Sequence, residues 1–381
     1  MKEALFLNDN QMALLQGPAM ALPLLLTAVP LGLAIDRYSR VRLIVALAVL
    51  NTIASAATAL ISSFALLFMA RCVVGAVGFA MLPIALSLLS DLYPPDQRGR
   101  ATTIVSVSQL GGSSAAFALG GVLLSLAGSG PENWRHAMLW LAGPLILVVA
   151  ITCGMREPAR TGQSIKNPSV SRAWRELWDY RHTIGPLMFG MAMLETGLGG
   201  ALIWAAPMLS RRFALPPDRV GAIMAVALLV SGAAGPILGG VVADLRQRSG
   251  GPGRITAVLS VVAFLTVPAA LFAMTPGAVP AGAVLVLFMT LITASVVMAT
   301  TLFTTIVPNE LRGLCVSVSV AVNVLFAIGI APPIVSALSG TIGGPATIGK
   351  ALSLVCLCTS LLAAVAFSMG RRYISRAVVL T

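Results

Sequence analysis

The amino-acid sequence predicts an all-α membrane protein with about eleven spanning helices. Of its 381 residues, 57% are hydrophobic and 10% are charged, whereas a soluble domain has about 25% charged residues. Apolar runs of roughly 17 to 25 residues, the length that crosses a bilayer, recur along nearly the whole chain. These runs are continuous rather than alternating, so helices that satisfy their own backbone groups are predicted and a β-barrel is excluded.

The predicted spanning helices are separated by short polar connections. They cover residues 12 to 33, 43 to 62, 64 to 90, 101 to 127, 136 to 154, 184 to 208, 220 to 242, 255 to 274, 278 to 306, 313 to 338 and 351 to 369. The run from Leu43 to Ser90 has the length of two spans, so it must fold back near Ser62 and Ser63. The lipid bilayer is therefore the main surrounding of this protein.

Basic residues are concentrated in the loops, where they indicate orientation in the membrane. The net charge is +12, but these residues form no soluble basic face, so no nucleic-acid partner is expected. Of the 25 lysines and arginines, 18 lie in one alternate set of loops, six lie in the other set and Arg71 lies within a span. Because cytoplasmic loops carry the excess of positive charge, the first set is predicted to be cytoplasmic, in a bacterial inner membrane.

The sequence contains an internal repeat that predicts two homologous halves. The segment Gly32 to Arg37 recurs as Gly240 to Arg246, and its aspartate recurs 208 residues later. The segment Pro94 to Arg98 recurs as Pro308 to Arg312, with its arginine 214 residues later. Nearly equal offsets predict an N-terminal bundle over residues 1–154, a cytoplasmic linker over 155–183 and a C-terminal bundle over 184–381.

Several of these motifs resemble those of a known family. The segment Gly32 to Arg42, at the cytoplasmic end of a span, resembles the loop signature of the major facilitator superfamily. Arg71 with Gly75 resembles the family's fourth-helix signature. The segment Pro308 to Gly313, together with Trp204, resembles the Spinster-like branch of that family.

This resemblance implies two pseudo-symmetric helix bundles that rock about a cavity at the midplane of the membrane. It implies a secondary active transporter of a small organic solute that works by alternating access, with no enzyme activity, no metal and no cofactor. Family members have two spans before the first signature loop, whereas one precedes Asp36. The first helix of the family fold is therefore expected to be missing, through a misassigned start at Met1 or a genuine truncation. A monomer is expected.

Glu195 is the first candidate for coupling transport to protons. It lies near the middle of the span 184 to 208, where a charge costs about 2.5 to 3.5 kcal/mol on insertion scales. Gly199 follows on the same helix face, so the carboxyl group is predicted to face a close helix contact or a cavity. The alternative is a neutral acid that is hydrogen-bonded between two helices.

Arg71 is the other charged residue predicted within the membrane. It could bind an anionic solute or act on a neighbouring acid, with Gly75 and Gly78 on its helix face. Alternatively, it lies only about 10 Å into its span at 1.5 Å per residue and reaches the outer interface. Four uncharged residues are further substrate or coupling candidates: Asn51, Gln109, Asn323 and Trp204. For the three amide residues, the alternative is a hydrogen bond between helices.

Charged residues at the predicted cytoplasmic ends of the spans are expected to form a gate that closes this side of the transporter. A solvated set of loop charges that only fixes topology is the alternative. The gate candidates are Asp36, Arg37, Arg40, Asp91, Arg98, Asp244, Arg246, Glu310 and Arg312.

The leading functional hypothesis is proton-coupled transport of an organic anion or a lipophilic compound. The alternative is a truncated membrane protein that regulates or binds without transporting. An intramembrane serine protease would need Ser113 or Ser114 beside His136 or His182, but these histidines lie at the ends of spans and share none with a serine at matching depth. An enzyme is therefore not expected.

Overall fold

The computed structural model describes residues 2, 4–93, 98–128, 130, 132–158 and 170–379, and every secondary-structure element in them is helical. The first six helices are α1 (Asp9–Gln16), α2 (Pro18–Arg37), α3 (Arg40–Leu60), α4 (Phe64–Leu92), α5 (Arg98–Leu126) and α6 (Asn133–Cys153). The others are α7 (Val170–Asp179), α8 (Arg181–Phe213), α9 (Pro217–Ala269), α10 (Ala278–Ile306), α11 (Asn309–Val324), α12 (Ala331–Ile342) and α13 (Ile348–Val379).

The chain divides into two compact units. Unit 1 consists of Met1–Ser164 with Pro216–Ala225, and unit 2 consists of Ile165–Leu215 with Val226–Thr381. The boundaries at 154 and 183 that the repeat suggests stay a prediction.

Long apolar helices confirm the predicted all-α membrane fold. Within the described residues, nine stretches are long and apolar enough to cross a membrane. One of them, Pro217–Met274, has 58 residues and turns at Gly250 and Gly251, so it contains two spans. Gly251 has a φ of 67°, a left-handed conformation that glycine adopts without strain.

Two boundaries differ from those expected. The predicted span over 12 to 33 is interrupted at Gly17, whose backbone is not helical. A new helix begins at Pro18, because proline fits the first turn of a helix, where a backbone N–H would have no partner within the helix. The predicted polar linker contains α7, an amphipathic helix. This helix has too few hydrophobic residues to be predicted as a span. The linker prediction therefore rests on the charged residues of the segment alone.

Glycines allow the helices of unit 2 to pack closely around α8. A Cβ at Gly199 would overlap the Ala327 carbonyl, lying 2.6 Å from its carbon. A Cβ at Gly190 would lie 2.5 Å from the ring of Phe367. Small residues at such contacts are the usual way in which membrane helices approach each other. The contact at Ala327 lies in a π-helical segment, Leu325–Ile330, that joins α11 to α12.

The α2, α3 and α4 helices of unit 1 meet around a small apolar core. This core contains Ile35, Val41, Ile44, Ile84 and Leu88, each at most 9% exposed. It brings the start of α3 against the end of α4. That contact positions the charged cluster described below.

Candidate functional site

Arg40 is the centre of a buried charged cluster in unit 1. Its side chain is 3% exposed, and one terminal nitrogen, Nη1, lies 2.5 Å from Oδ2 of Asp91. The same nitrogen donates to the carbonyl and hydroxyl oxygens of Ser87 at 3.1 and 3.2 Å. Nε of Arg40 donates to Oε1 of Glu157 at 3.1 Å. One guanidinium group therefore joins α3, the end of α4 and the segment after α6.

Glu157 also caps the N-terminus of α3. The backbone N–H groups of Arg40 and Val41 donate to its carboxylate at 3.2 and 2.8 Å, and the Ser39 hydroxyl donates at 2.6 Å. Free N–H groups and the helix dipole both favour a negative charge at this position. The carboxylate is thus held by hydrogen bonds from one helix terminus and one arginine.

The protonation of Glu157 reflects this surrounding. Burial alone would raise the pKa of its carboxyl group, but the hydrogen bonds from Ser39, Val41 and Arg40 outweigh burial and lower the pKa from 4.5 to about 2. Glu157 is therefore a carboxylate at neutral pH, and the Arg40 cation faces two anions.

Among the predicted gate residues whose side chains are described, the structure brings together one pair, Arg40 and Asp91. Arg37 is exposed at the end of α2, and Asp36 and Arg98 belong to α2 and α5 with side chains outside the described part of the structure. In unit 2, Asp244 and Arg246 are exposed in α9.

The remaining gate candidates lie where α11 begins. Glu310 is exposed, and Nε of Arg312 donates to the carbonyl oxygen of Val307 at 3.1 Å. Arg312 thus holds the turn before its own helix. The sequence repeat is therefore not matched by a second cluster like that of Arg40 in the described part of unit 2.

Sequence reasoning missed Glu157. It lies 117 residues from Arg40 in sequence, in a polar segment that reads as a solvated loop. The available signal was its place directly after a span on the arginine-rich side. That signal identifies a partner only when the packing of α3 against α6 is known.

Arg71 lines a cavity of about 160 Å³ between α3, α4 and α6. Ser55 and Thr58 of α3 lie in the same wall, while Met138, Leu141 and Leu145 of α6 make the rest largely apolar. Nε of Arg71 is buried, and the guanidinium has no hydrogen-bond or ion-pair partner in the described residues. Such a group can receive an anionic or hydrogen-bond-accepting ligand.

Glu195 lies half-buried in the middle of α8. Its neighbours Leu194 and Thr196 are buried, and Gly199, one turn further, contacts Ala327. No hydrogen bond or ion pair of Glu195 is found among the described residues. A carboxyl group without a partner at this depth can release or take up a proton when its surroundings change.

Three contacts show that α8 runs in register with α11 and α12. The hydroxyl of Ser319 lies 3.6 Å from the sulfur of Met191. Gly199 meets Ala327, and the indole N–H of Trp204 donates to the carbonyl of Pro332 at 3.1 Å. In each of these three pairs the second residue number exceeds the first by 128.

Glu195 and Asn323 differ by the same number of residues. Each lies four residues after its helix's member of the Met191–Ser319 contact and four before its member of the Gly199–Ala327 contact. Both residues therefore occupy the same level of the interface. Asn323 is 9% exposed, and its Oδ1 is buried without a hydrogen-bond partner in the described chain. Asn323 thus has an unused acceptor at the level of Glu195 in the described chain.

The other polar candidates have separate surroundings. Trp204 is 2% exposed and its N–H is bonded, so it serves the helix interface. Asn51 lies in α3 one turn before Ser55, and its Oδ1 is buried without a described partner. Gln109 is exposed on α5.

Comparison with known proteins identifies similar folds. The chain resembles crystal structures of a bacterial homolog of the human lysosomal transporter Spinster, with TM-scores of 0.81 and 0.83 and 24% identity. The better superposition covers 98% of this chain and 90% of that one. A D-xylose–proton symporter superposes with a TM-score of 0.65 at 14% identity over 94% of this chain and 87% of the other. At these identities the likeness shows the fold.

Curated relatives match part of the chain. A triacylglyceride transporter of Mycobacteroides abscessus is 32% identical over 191 residues, which are 49% of this chain and 35% of the relative. A triacylglyceride transporter of Mycolicibacterium smegmatis is 33% identical over 148 residues, 38% of this chain and 24% of the relative. The chain therefore spans about a third or less of the length of these relatives.

The sequence profile described as the Major Facilitator Superfamily matches residues 7–332. This match covers both units and includes the signature segments around Arg40, Arg71 and Arg312. It confirms the resemblance seen in the sequence: the chain belongs to the Major Facilitator Superfamily.

Proposed function

We propose that this multi-pass membrane transporter is a secondary active carrier that moves a lipophilic organic solute by alternating access, coupled to protons through Glu195. We place it in a bacterial cytoplasmic membrane, as a monomer, with the Arg40 cluster on the cytoplasmic side. The cluster would hold that side of unit 1 closed, and its rearrangement would accompany opening.

The observation that carries this proposal is the carboxyl group of Glu195, which has no partner among the described residues. A charge at this depth is costly, and a structural role would give it a bonded partner. Asn323 offers an acceptor at the same level, which suits the protonated form. Uptake of a proton would therefore strengthen this helix contact, and release would weaken it. Such a difference between two states is what coupling requires.

The solute class is supported by two features. The matching segments of the relatives belong to proteins named triacylglyceride transporters. The walls of the cavity beside Arg71 are mainly apolar. An organic anion is the second candidate, because the Arg71 guanidinium has no partner in the described part of the chain and would pair with a carboxylate or phosphate group.

Flux in proteoliposomes tests the coupling. The purified chain is tested with a triacylglycerol, a lysophospholipid and an aromatic carboxylate, with and without a pH gradient. We expect the gradient to accelerate uptake of a lipophilic solute. Glu195→Gln should abolish this acceleration while retaining exchange of labelled for unlabelled solute, which needs no net proton movement. Glu132→Gln, an exposed change outside the spans, is the matched control.

Each other outcome has a definite meaning. Gradient stimulation that survives Glu195→Gln would refute coupling through this residue. The absence of saturable flux for every solute in both proteins would favour a regulatory protein that does not transport. Preference for the carboxylate, lost in Arg71→Gln, would identify an organic anion as the solute.

Protease chemistry receives no support from the serine positions. The hydroxyl of Ser113 donates to the carbonyl of Gln109 at 2.9 Å, and that of Ser114 donates to the carbonyl of Ala225 at 2.8 Å. Each serine therefore bonds to backbone rather than to a histidine. We accordingly propose a carrier and not an enzyme.

A further inference from the structure

The helix α7 presents two opposite faces. Trp174 and Trp178 are 48% and 59% exposed, one helical turn apart, with Leu177 buried between them. Glu176 and Asp179 are exposed at positions that lie on the other side of the helix. Large exposed indole rings on one side, with charges on the other, are typical of a helix that lies in the membrane interface.

The position of α7 supports this placement. It ends at Asp179, and the spanning helix α8 begins at Arg181, with only Tyr180 between them. A helix joined so closely to the end of a span lies at the level of the lipid head groups. Tryptophan is enriched at this level because its ring is apolar while its N–H is polar.

A pocket of about 150 Å³ lies where α7 meets α8 and α11. Its walls include Trp174, Trp178, Ile184 and Met188, and Arg181 is the one charged residue among the described residues that line it. The guanidinium of Arg181 lies 5.8 Å from the centre of the Trp178 ring, and its Nη1 donates to the Trp178 carbonyl at 3.0 Å. This geometry holds one positive charge at the rim of an apolar groove.

We propose that this groove binds an anionic phospholipid from the adjacent membrane leaflet, with its phosphate at Arg181 and an acyl chain against Trp174 and Trp178. Apolar cavities of this size do not hold water well, so an acyl chain is the suitable filler. Basic pockets beside spanning helices are favourable sites for anionic head groups. The combination of an apolar groove and a single cation matches one lipid with one phosphate.

Quenching by brominated lipids tests this site in the full-length chain reconstituted into bilayers. Tryptophan fluorescence is titrated with phosphatidylglycerol or phosphatidylcholine that carries bromine on the acyl chain. The signal of α7 is the difference between the wild type and the Trp174→Phe, Trp178→Phe variant. We expect half-quenching of this signal at about fivefold lower content of phosphatidylglycerol than of phosphatidylcholine, the factor given by one arginine at a membrane surface.

Two arginine variants decide where the preference arises. Arg181→Gln should make the two lipids equally effective, and Arg181→Lys should retain most of the preference. Arg175→Gln removes the same charge from an exposed position of α7 outside the described wall of the groove and should leave the preference unchanged. Equal thermal unfolding of all variants is the folding control. Equal losses in Arg175→Gln and Arg181→Gln would show only general attraction to the surface and would overturn the proposal. Absence of quenching of Trp174 and Trp178 would overturn it too, since the chain itself would then cover the groove.

Discussion

At the scale of single residues, the Arg40 cluster shows how a membrane protein stabilises a buried arginine by pairing it with two carboxylates. Arg40 has two anionic partners and donates five hydrogen bonds. Four come from its side chain, to Asp91, Ser87 and Glu157, and one comes from its backbone N–H, to Glu157. Removal of one charged member takes an ion-pair partner from the groups that remain. The loss of folding free energy is then larger than the net stabilisation that the intact pair contributes. The cluster should therefore respond to substitution as a unit.

Arg40→Ala should lower the free energy of unfolding by about 3 to 5 kcal/mol, because it removes the buried cation that pairs with the carboxylates of Asp91 and Glu157. The neighbour Arg42 is exposed, so Arg42→Ala should stay within about 0.5 kcal/mol of the wild type. Chemical unfolding in detergent, followed by helical circular dichroism, measures both. Similar losses in the two variants would contradict the buried cluster.

Glu157 should make stability depend on pH below neutrality. Its folded pKa of about 2 lies below the ordinary 4.5, so its stabilisation is full above about pH 4.5 and is lost as the pH falls towards 2. Glu157→Gln should therefore lower the melting temperature at pH 7, and the difference from the wild type should shrink across this window. Glu132→Gln changes a carboxylate that is 59% exposed and serves as the control. A difference that stays constant from pH 7 to pH 3 would argue against the prediction.

Residues of this cluster were only partly predictable. Arg40 and Asp91 follow from motif position, since both stand at the ends of apolar runs. Glu157 does not, because its role depends on the approach of α6 to α3 and on the free N–H groups of the α3 terminus. Likewise, the depth of Glu195 follows from sequence, whereas its register with Asn323 required the contacts on either side.

At the scale of elements, α8 depends on glycine where it crosses the π-helical segment. Gly199→Ala should destabilise the protein, because the new Cβ would overlap backbone atoms of Ala327 that cannot move aside. Gly185→Ala in the same helix meets no atom within 4 Å. It should be neutral or raise stability by about 0.5 to 1 kcal/mol through helix propensity. Thermal unfolding of the two variants measures the contrast, and equal behaviour would mean that α8 does not pack as described.

The spanning elements were predictable to different degrees for a physical reason. Apolar length identifies spans such as α3, α6 and α10, since lipid requires long apolar helices whatever their packing. It does not identify α7, whose ten residues rely on one apolar face, or the π-helical segment at Leu325–Ile330. Nor does it locate the interruption at Gly17, which depends on local backbone geometry. These features arise from packing, which length and composition do not encode.

At the scale of the whole molecule, the repeat in sequence and the chemistry of the halves diverge. Asp244 and Arg246 repeat the Asp36 segment, yet both are exposed in the described structure. A buried charged cluster is therefore described in unit 1 and not at the repeated segment of unit 2. We propose different tasks for the two units, a latch at the Arg40 cluster and a proton site at Glu195.

The orientation of the molecule is the last prediction, and it decides which compartment each site faces. The loops with 18 of the 25 basic residues should be cytoplasmic. In a variant without the five native cysteines, Ser63→Cys should react with an impermeant maleimide in intact cells, and Arg156→Cys only in inverted vesicles. Both positions are exposed and lie at opposite ends of the helices of unit 1, so access to the reagent differs only by side. The reverse pattern would turn the Arg40 cluster outward. The cluster would then close the external entrance.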